Sequence, residues 1–130
     1  HLIEDAAYDI LAAADVSIVS SGTATIEAAL LGAPMVVIYR VSTATAWIAR
    51  RLMRAPYIAM VNLSAEKRAV PELIQEAFEP EEVAREVEHL LTSSKTRSTM
   101  KTDLAEVSRR LGPPGAIDRA ADIIAKMIRP

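Results

Sequence analysis

A short apolar run followed by a hydroxyl-rich turn and a helix-forming run constrains this chain more than any other feature. The apolar run is at residues 16–19, the turn and the first helical residues are at 20–27, and residues 28–31 continue the helix. A buried strand is therefore predicted to end in a tight turn that becomes a helix N-terminus. Backbone N–H groups without partners, together with the positive end of the helix dipole, suit such a terminus to a phosphate group.

The polar side chains of this turn allow two interpretations. The hydroxyls of Ser21, Thr23 and Thr25 can cap the helix or donate to an anion. Glu27 lies about 6 Å along the helix axis from Thr23, near enough to bind a ribose diol. Ordinary helix capping with a solvated Glu27 explains the same residues, since neither the P-loop motif nor the Gly-x-Gly-x-x-Gly motif is present.

Two further apolar runs indicate a parallel sheet. Gly32 ends the helix, and Met35–Tyr39 is continuously apolar, as expected of a parallel strand covered on both faces. A helix is predicted at residues 43–54 and a third strand at residues 56–61. Two strand-helix-strand units in succession favour a right-handed parallel arrangement.

The rest of the pattern is mostly helical. It predicts a helix at residues 6–14 capped by Asp5, a short turn at 71–75, and helices that begin at Pro80, cover 100–111 and begin again at Ala116. The fold class is therefore α/β, with a small parallel sheet of about three strands, helices on both faces and C-terminal helices after it. A single domain is expected over residues 1–130, with a helical tail from about residue 95.

Composition excludes several classes of protein. Fifteen basic and seventeen acidic residues give a net charge of -2, so no overall field attracts nucleic acid. The absence of cysteine excludes disulfides and thiolate chemistry and suits a cytoplasmic protein. Because the chain begins at His1, with neither an initiator methionine nor a signal pattern, we expect a fragment or an excised domain.

An aromatic residue stands among arginines in the predicted helix at residues 43–54. Within about 100° of arc on that helix lie Trp47, Arg50, Arg51 and Arg54. Such a face could contact acidic lipid headgroups at the inner membrane or an acceptor phosphate. A solvated basic face with Trp47 in a domain contact is the alternative. The sequence offers no metal-ligand cluster and no nucleic-acid motif, so neither partner is expected.

Several spaced motifs occur in one order along the chain. They are residues 21–28, residues 32–37, Tyr39 with Arg40, Asn62 with Leu63, Lys67 with Arg68, and residues 71–75. Together they resemble the lipid-A-disaccharide synthase family over most of the chain to about Leu91.

The resemblance implies an inverting glycosyltransferase of the GT-B architecture, which has two Rossmann-like domains and uses no metal or cofactor. This chain would be the latter part of the C-terminal domain, which binds the UDP-sugar donor, and the lipid acceptor would need the missing domain. The fragment alone is expected to be inactive. Two alternatives stay open: another UDP-sugar transferase or epimerase of the same architecture, and a non-catalytic α/β scaffold.

The resemblance also implies roles for individual residues. Those around the donor diphosphate would be Ser21, Gly22, Thr23, Ala24 and Thr25. Glu27 would hold the ribose, and Arg40 would either add charge to the phosphates or form a salt bridge with a neighbouring acid. Asn62 matches a position at the family's active centre, where its amide would bond sugar or phosphate, or else it is a turn-forming asparagine.

The loop after Asn62 departs from the family pattern. Ser64 and Glu66 stand where the family usually has an apolar residue and a glycine. A glycine at the second position would allow a positive φ, so Glu66 makes the shape of this loop uncertain from sequence.

Self-association is the last expectation. A sheet of three strands leaves an open edge, and the last two helices have apolar faces that need cover. We expect a homodimer, swapped at the hinge formed by residues 112–115, with burial at Leu104, Val107, Leu111, Ile117 and Ile124.

Overall fold

A computed structural model describes residues 1–52 and 55–128. Three strands are present: β1 (Ser17–Ser20), β2 (Met35–Tyr39) and β3 (Glu72–Ile74). Seven helices accompany them in the described part of the chain: α1 (Ala7–Ala13), α2 (Ala24–Leu30), α3 (Thr43–Leu52), α4 (Met60–Ala65), α5 (Pro80–Thr92), α6 (Ser94–Leu111) and α7 (Ala116–Ile128). A single 3-10 turn, Gln75–Ala77, follows β3.

The strands form one parallel sheet in the order β1-β2-β3. Val19 pairs with Val37, and Ile38 pairs with Leu73, so β2 is hydrogen-bonded on both sides. Met35, Val36 and Val37 are fully buried, which explains why β2 is continuously apolar. The predicted α/β fold with a small parallel sheet is confirmed.

The core lies between the sheet and helices that pack against one another. Helix α2 contacts α4 and α6, and α5 contacts β2 and α6. The small residues Ala28 and Ala29 of α2 are buried, which lets that helix approach its neighbours closely. Leu90 of α5 and Leu104 of α6 fill the core with fully buried side chains.

The third strand was predicted in the wrong place. Residues 56–61 run into α4, which begins at Met60, and β3 lies at Glu72–Ile74, where a turn was expected. A short apolar run does not distinguish a strand from a buried helix. A contact with a residue further along the chain favours the helix here. The Glu72 carboxylate caps the start of α4 by accepting from the N–H of Ala59, at 3.2 Å.

The start of the first helix also differs from the prediction. Helix α1 begins at Ala7 and its N-cap residue is Ala6, which makes no side-chain capping bond. Asp5 has a φ of 60°, so the chain turns one residue before the cap and the predicted capping role of Asp5 is wrong.

The last two helices differ in how they pack. Leu104 and Val107 of α6 are fully buried in this chain's own core, so they cannot form the predicted dimer interface. Every residue of α7 is exposed, including Ile117 and Ile124, and Leu111 is 45% exposed. A homodimer therefore stays a prediction. Of the residues expected in its interface, Leu111, Ile117 and Ile124 are exposed in this structure.

Helix α4 ends at a left-handed residue that is not glycine. Glu66 has φ 56° and ψ 20°, and its N–H donates to the carbonyl of Leu63. The loop therefore keeps the turn that a glycine would favour, and Glu66 carries the steric cost. Its carboxylate lies 3.4 Å from Arg110, but both side chains are exposed and the pair stabilises the fold little.

We predict that Glu66→Gly raises the free energy of unfolding by about 1 kcal/mol, because glycine relieves the left-handed strain. The matched control is Glu88→Gly, within α5, where the same change lowers it by about 1 kcal/mol. Urea titration followed by circular dichroism measures both. Equal destabilisation by the two changes would contradict the left-handed assignment.

Candidate functional site

A cavity of about 710 Å³ opens where the three strands end. Its lining comes from the turn after β1, the end of β2 with the start of α3, the approach to α4, and the end of β3. The lining residues are Ser21, Gly22, Tyr39, Val41, Thr45, Ala46, Ala55, Ile58, Met60, Ile74, Gln75 and Glu76. Ligands of open α/β sheets bind at this position, outside the carboxyl ends of the strands.

The turn after β1 is held by hydrogen bonds to both sides. Ser21 donates its N–H to the carbonyl of Ile38, at 3.0 Å, and its hydroxyl to the carbonyl of Ile58, at 3.5 Å. Gly22 has a φ of 154°, which favours glycine at this point. Its carbonyl accepts from both the N–H and the hydroxyl of Thr25, at 3.1 and 2.8 Å.

Three consecutive N–H groups of this turn make no hydrogen bond to any residue that the structure describes. Within residues 1–52 and 55–128, the N–H groups of Gly22, Thr23 and Ala24 have no protein acceptor. The following residue is already bonded, since Thr25 donates to Gly22. Because α2 has only seven residues, its helix dipole is short. The individual N–H groups are therefore the main feature of this turn that could attract an anion.

The predicted residues of the turn divide into two groups. Ser21 and Gly22 line the cavity, and Thr23 is exposed beside it. Thr25 is fully buried and its hydroxyl is used within the turn, so that hydroxyl is not available to an anion in this structure. Glu27 is half-buried one turn further along α2, and its N–H donates to the carbonyl of Thr23.

Arg40 is bonded to the segment that follows β3. Its guanidinium donates to the carbonyls of Gln75 and Phe78 and to the carboxylate of Glu79, the last at 2.9 Å. The guanidinium also lies over the Phe78 ring, 4.9 Å from its centre. Of the two roles left open by the sequence, the salt bridge to Glu79 is present in this structure.

Asn62 is fully buried in α4 and bonds to the chain before and within β3. Its amide accepts from the N–H of Val70 and donates to the Val70 carbonyl, both at 2.9 Å. It also donates to the Glu72 carboxylate at 2.7 Å. Asn62 therefore holds α4 against β3 and does not face the cavity in this structure.

The arginine-rich helix is described only in part. Trp47 is 62% exposed on α3, and the guanidinium of Arg51 lies over its ring at 5.2 Å. Arg54 and the side chain of Arg50 lie outside the described residues. An exposed aromatic ring with a stacked cation is thus present on this helix.

Sequence reasoning missed two residues that bond to the chain around the cavity. Gln75 bonds both backbone groups of Val41, and Glu72 receives three N–H donors. Residues 71–75 belong to the motifs that resemble the family, but no local pattern marks side chains whose partners are distant in sequence. The positive φ of Gln75, 55°, is equally invisible in the sequence.

Among the residues that the structure describes, no three His, Asp or Glu side chains group so that they could hold a metal ion. None of the helices in the described ranges is long and apolar enough to cross a bilayer.

Comparison with known proteins decides the family. A sequence model described as Lipid-A-disaccharide synthetase matches residues 1–126. A lipid-A-disaccharide synthase of Myxococcus xanthus is 40% identical over 129 residues, which cover 99% of this chain and 34% of the relative. The chain belongs to the lipid-A-disaccharide synthase family.

Other lipid-A-disaccharide synthases agree with this match. The protein of Acidobacterium capsulatum is 49% identical over 115 residues, or 87% of this chain and 29% of the relative. That of Syntrophus aciditrophicus is 44% identical over 129 residues, or 99% of this chain and 34% of the relative. The predicted resemblance is confirmed, and the chain spans about a third of the length of these relatives.

We predict that Asn62→Ala lowers the free energy of unfolding by about 2–4 kcal/mol, because it leaves both backbone groups of Val70 unpaired in the core. The control is Ser64→Ala in the same helix, for which a change within about 0.5 kcal/mol is expected. Chemical denaturation measures both variants. If Asn62→Ala lowers the free energy of unfolding no more than the control does, the hydrogen bonds of Asn62 do not hold α4 in place.

Proposed function

We propose that this chain is the donor-binding part of a lipid-A-disaccharide synthase, a glycosyltransferase that takes a UDP-sugar as donor. The observation that carries the proposal is the cavity at the carboxyl ends of three parallel strands in a member of this family. The cavity lies beside a turn in which three consecutive N–H groups have no acceptor among the described residues. A donor of this kind carries two phosphates, and backbone N–H groups are suitable partners for them.

The diphosphate would lie against the turn after β1. The N–H groups of Gly22, Thr23 and Ala24 have no protein acceptor within the described ranges, and Thr23 is an exposed residue. Glu27, one turn along α2, would accept hydrogen bonds from the ribose hydroxyls. A ligand bound this way extends from Glu27 across the turn towards the cavity.

The reaction proposed is an inverting transfer of diacylated glucosamine to the lipid acceptor. A hydroxyl oxygen of the acceptor forms a bond to the anomeric carbon as the bond from that carbon to the UDP oxygen breaks. UDP leaves with the electron pair, and the hydroxyl proton passes to a base that would lie outside this chain. Fixed N–H donors at the diphosphate stabilise the negative charge that develops there.

UDP binding tests the proposal. We predict that UDP shifts the amide NMR signals of Gly22, Thr23 and Ala24 first, and that UMP binds more weakly because it has one phosphate fewer. ADP also binds more weakly if the cavity selects the base. Gly22→Ala is expected to weaken UDP binding at least about tenfold, because the φ of Gly22 does not suit alanine.

The control for this titration is Gly112→Ala, at a second glycine of positive φ that lies after α6, away from the cavity. It is expected to leave UDP binding unchanged. No amide shift with millimolar UDP would exclude nucleotide binding by this chain. Shifts clustered elsewhere would exclude the turn as the site.

We further propose that the chain alone does not catalyse transfer, because a GT-B site closes between two domains and this chain covers about a third of its relatives. Incubation of the chain with radiolabelled donor and lipid acceptor is expected to give no disaccharide. A full-length relative serves as the positive control. Disaccharide formed by this chain alone would show that a complete site lies within it.

Two alternatives make different predictions in these assays. Another UDP-sugar transferase or epimerase would show the same UDP shifts, and the corresponding full-length protein would act on a different sugar. A non-catalytic scaffold would show no UDP shifts at all.

We propose two partners beyond the donor, each of which would bind an exposed surface of this chain. Trp47 with Arg51 would contact acidic headgroups at the inner face of the membrane, where a lipid acceptor is found. The apolar face of α7, with Ile117 and Ile124, would pair with a second copy of the chain.

A further inference from the structure

Glu72 of β3 gathers three N–H donors from the chain around α4. Its carboxylate accepts from the N–H of Ile58 at 3.1 Å, from the N–H of Ala59 at 3.2 Å and from the amide of Asn62 at 2.7 Å. A carboxylate can accept all three, because both oxygens are acceptors. A glutamine in its place would turn a donor towards at least one of these N–H groups.

The first of these bonds reaches the wall of the cavity. Ile58 lines the cavity, and its carbonyl accepts from the hydroxyl of Ser21, at 3.5 Å. Ser21 is the first residue of the turn proposed to bind the diphosphate. The position of this wall relative to the turn therefore depends on the hydrogen bond from Ile58 to Glu72.

Gln75, directly after β3, holds a second wall. Its side-chain oxygen accepts from the N–H of Val41 at 2.7 Å, and its side-chain nitrogen donates to the carbonyl of Val41 at 3.2 Å. Val41 lines the cavity between β2 and α3. This pairing continues the contact between β2 and β3 past the last strand residue, with a side-chain amide in place of a backbone peptide.

The backbone at Gln75 supports a specific role. Its φ is 55°, a region that disfavours residues other than glycine. The described chain keeps a strained glutamine there, and its side chain makes two hydrogen bonds that glycine could not make. Backbone strain of this kind persists where the surrounding structure requires it.

We infer that Glu72 and Gln75 are positioning residues that set the distance between the two walls of the donor cavity. Glu72 acts through Ile58. Gln75 lines the cavity itself and acts on its wall through Val41. The inference rests on the proposed function only in taking UDP as the probe of the cavity.

The hydrogen bonds themselves are tested first, in the unmodified chain. NMR couplings across a hydrogen bond are expected between the N–H of Ile58 and the carboxylate carbon of Glu72, and between the N–H of Val41 and the amide carbon of Gln75. Amide exchange should also be slow at Ile58 and Val41. Fast exchange at both amides, with no coupling, would overturn the inference whether or not the chain binds UDP.

Substitution then tests the effect on the cavity. Glu72→Gln is expected to speed amide exchange at Ile58 and Ala59 and to weaken UDP binding about tenfold. If Glu72 acted only through its charge, Glu72→Gln would strengthen UDP binding, because the substitution removes a negative charge near an anionic ligand. Gln75→Met is expected to speed exchange at Val41 and to weaken UDP binding similarly.

The matched control is Glu81→Gln, an exposed acid in the first turn of α5 that removes the same charge. It should leave both exchange and UDP binding unchanged. Tighter or unchanged UDP binding by Glu72→Gln would overturn the positioning role. If the unmodified chain binds no UDP, the proposed function fails, and the couplings and exchange rates alone decide whether the walls are held in this way.

Discussion

The parallel pairing of β2 with a strand on each side is the interaction on which the rest of the structure depends. Met35, Val36 and Val37 are fully buried, so these residues stabilise the fold through apolar burial as well as through hydrogen bonds. Because both partners run parallel to β2, all three strands end at the same edge of the sheet. The turn after β1 and the residues after β3 are thereby brought to one place.

This geometry brings residues that are distant in sequence to one edge of the sheet. The turn at Gly22 carries N–H groups without protein acceptors among the described residues. Glu72 accepts from the N–H of Ile58, and Gln75 accepts from the N–H of Val41, on neighbouring walls of the cavity. Arg40, with its bonds to Gln75 and Glu79, ties the end of β2 to the same segment. Most polar groups near the cavity bond to other parts of the protein, whereas the N–H groups of Gly22, Thr23 and Ala24 have no acceptor among the described residues.

Local patterns in the sequence were sufficient for the first strand-helix-strand unit but not for the last strand. The apolar run of β2 and the glycine turn before α2 each carry their signal within a few residues. In contrast, β3 has three residues and depends on pairing with β2, and α4 depends on a cap supplied by Glu72. The sequence could not decide between the alternative roles of Asn62 or of Arg40 for the same reason, since the partners of both residues lie further along the chain.

A crystal structure of the chain grown with UDP would show directly whether the sheet binds a diphosphate at its carboxyl edge. We predict phosphate oxygens within hydrogen-bond distance of the N–H groups of Gly22, Thr23 and Ala24, with the ribose beside Glu27. Well-ordered UDP bound elsewhere, for example beside Arg68 and His89 near the start of α6, would contradict it.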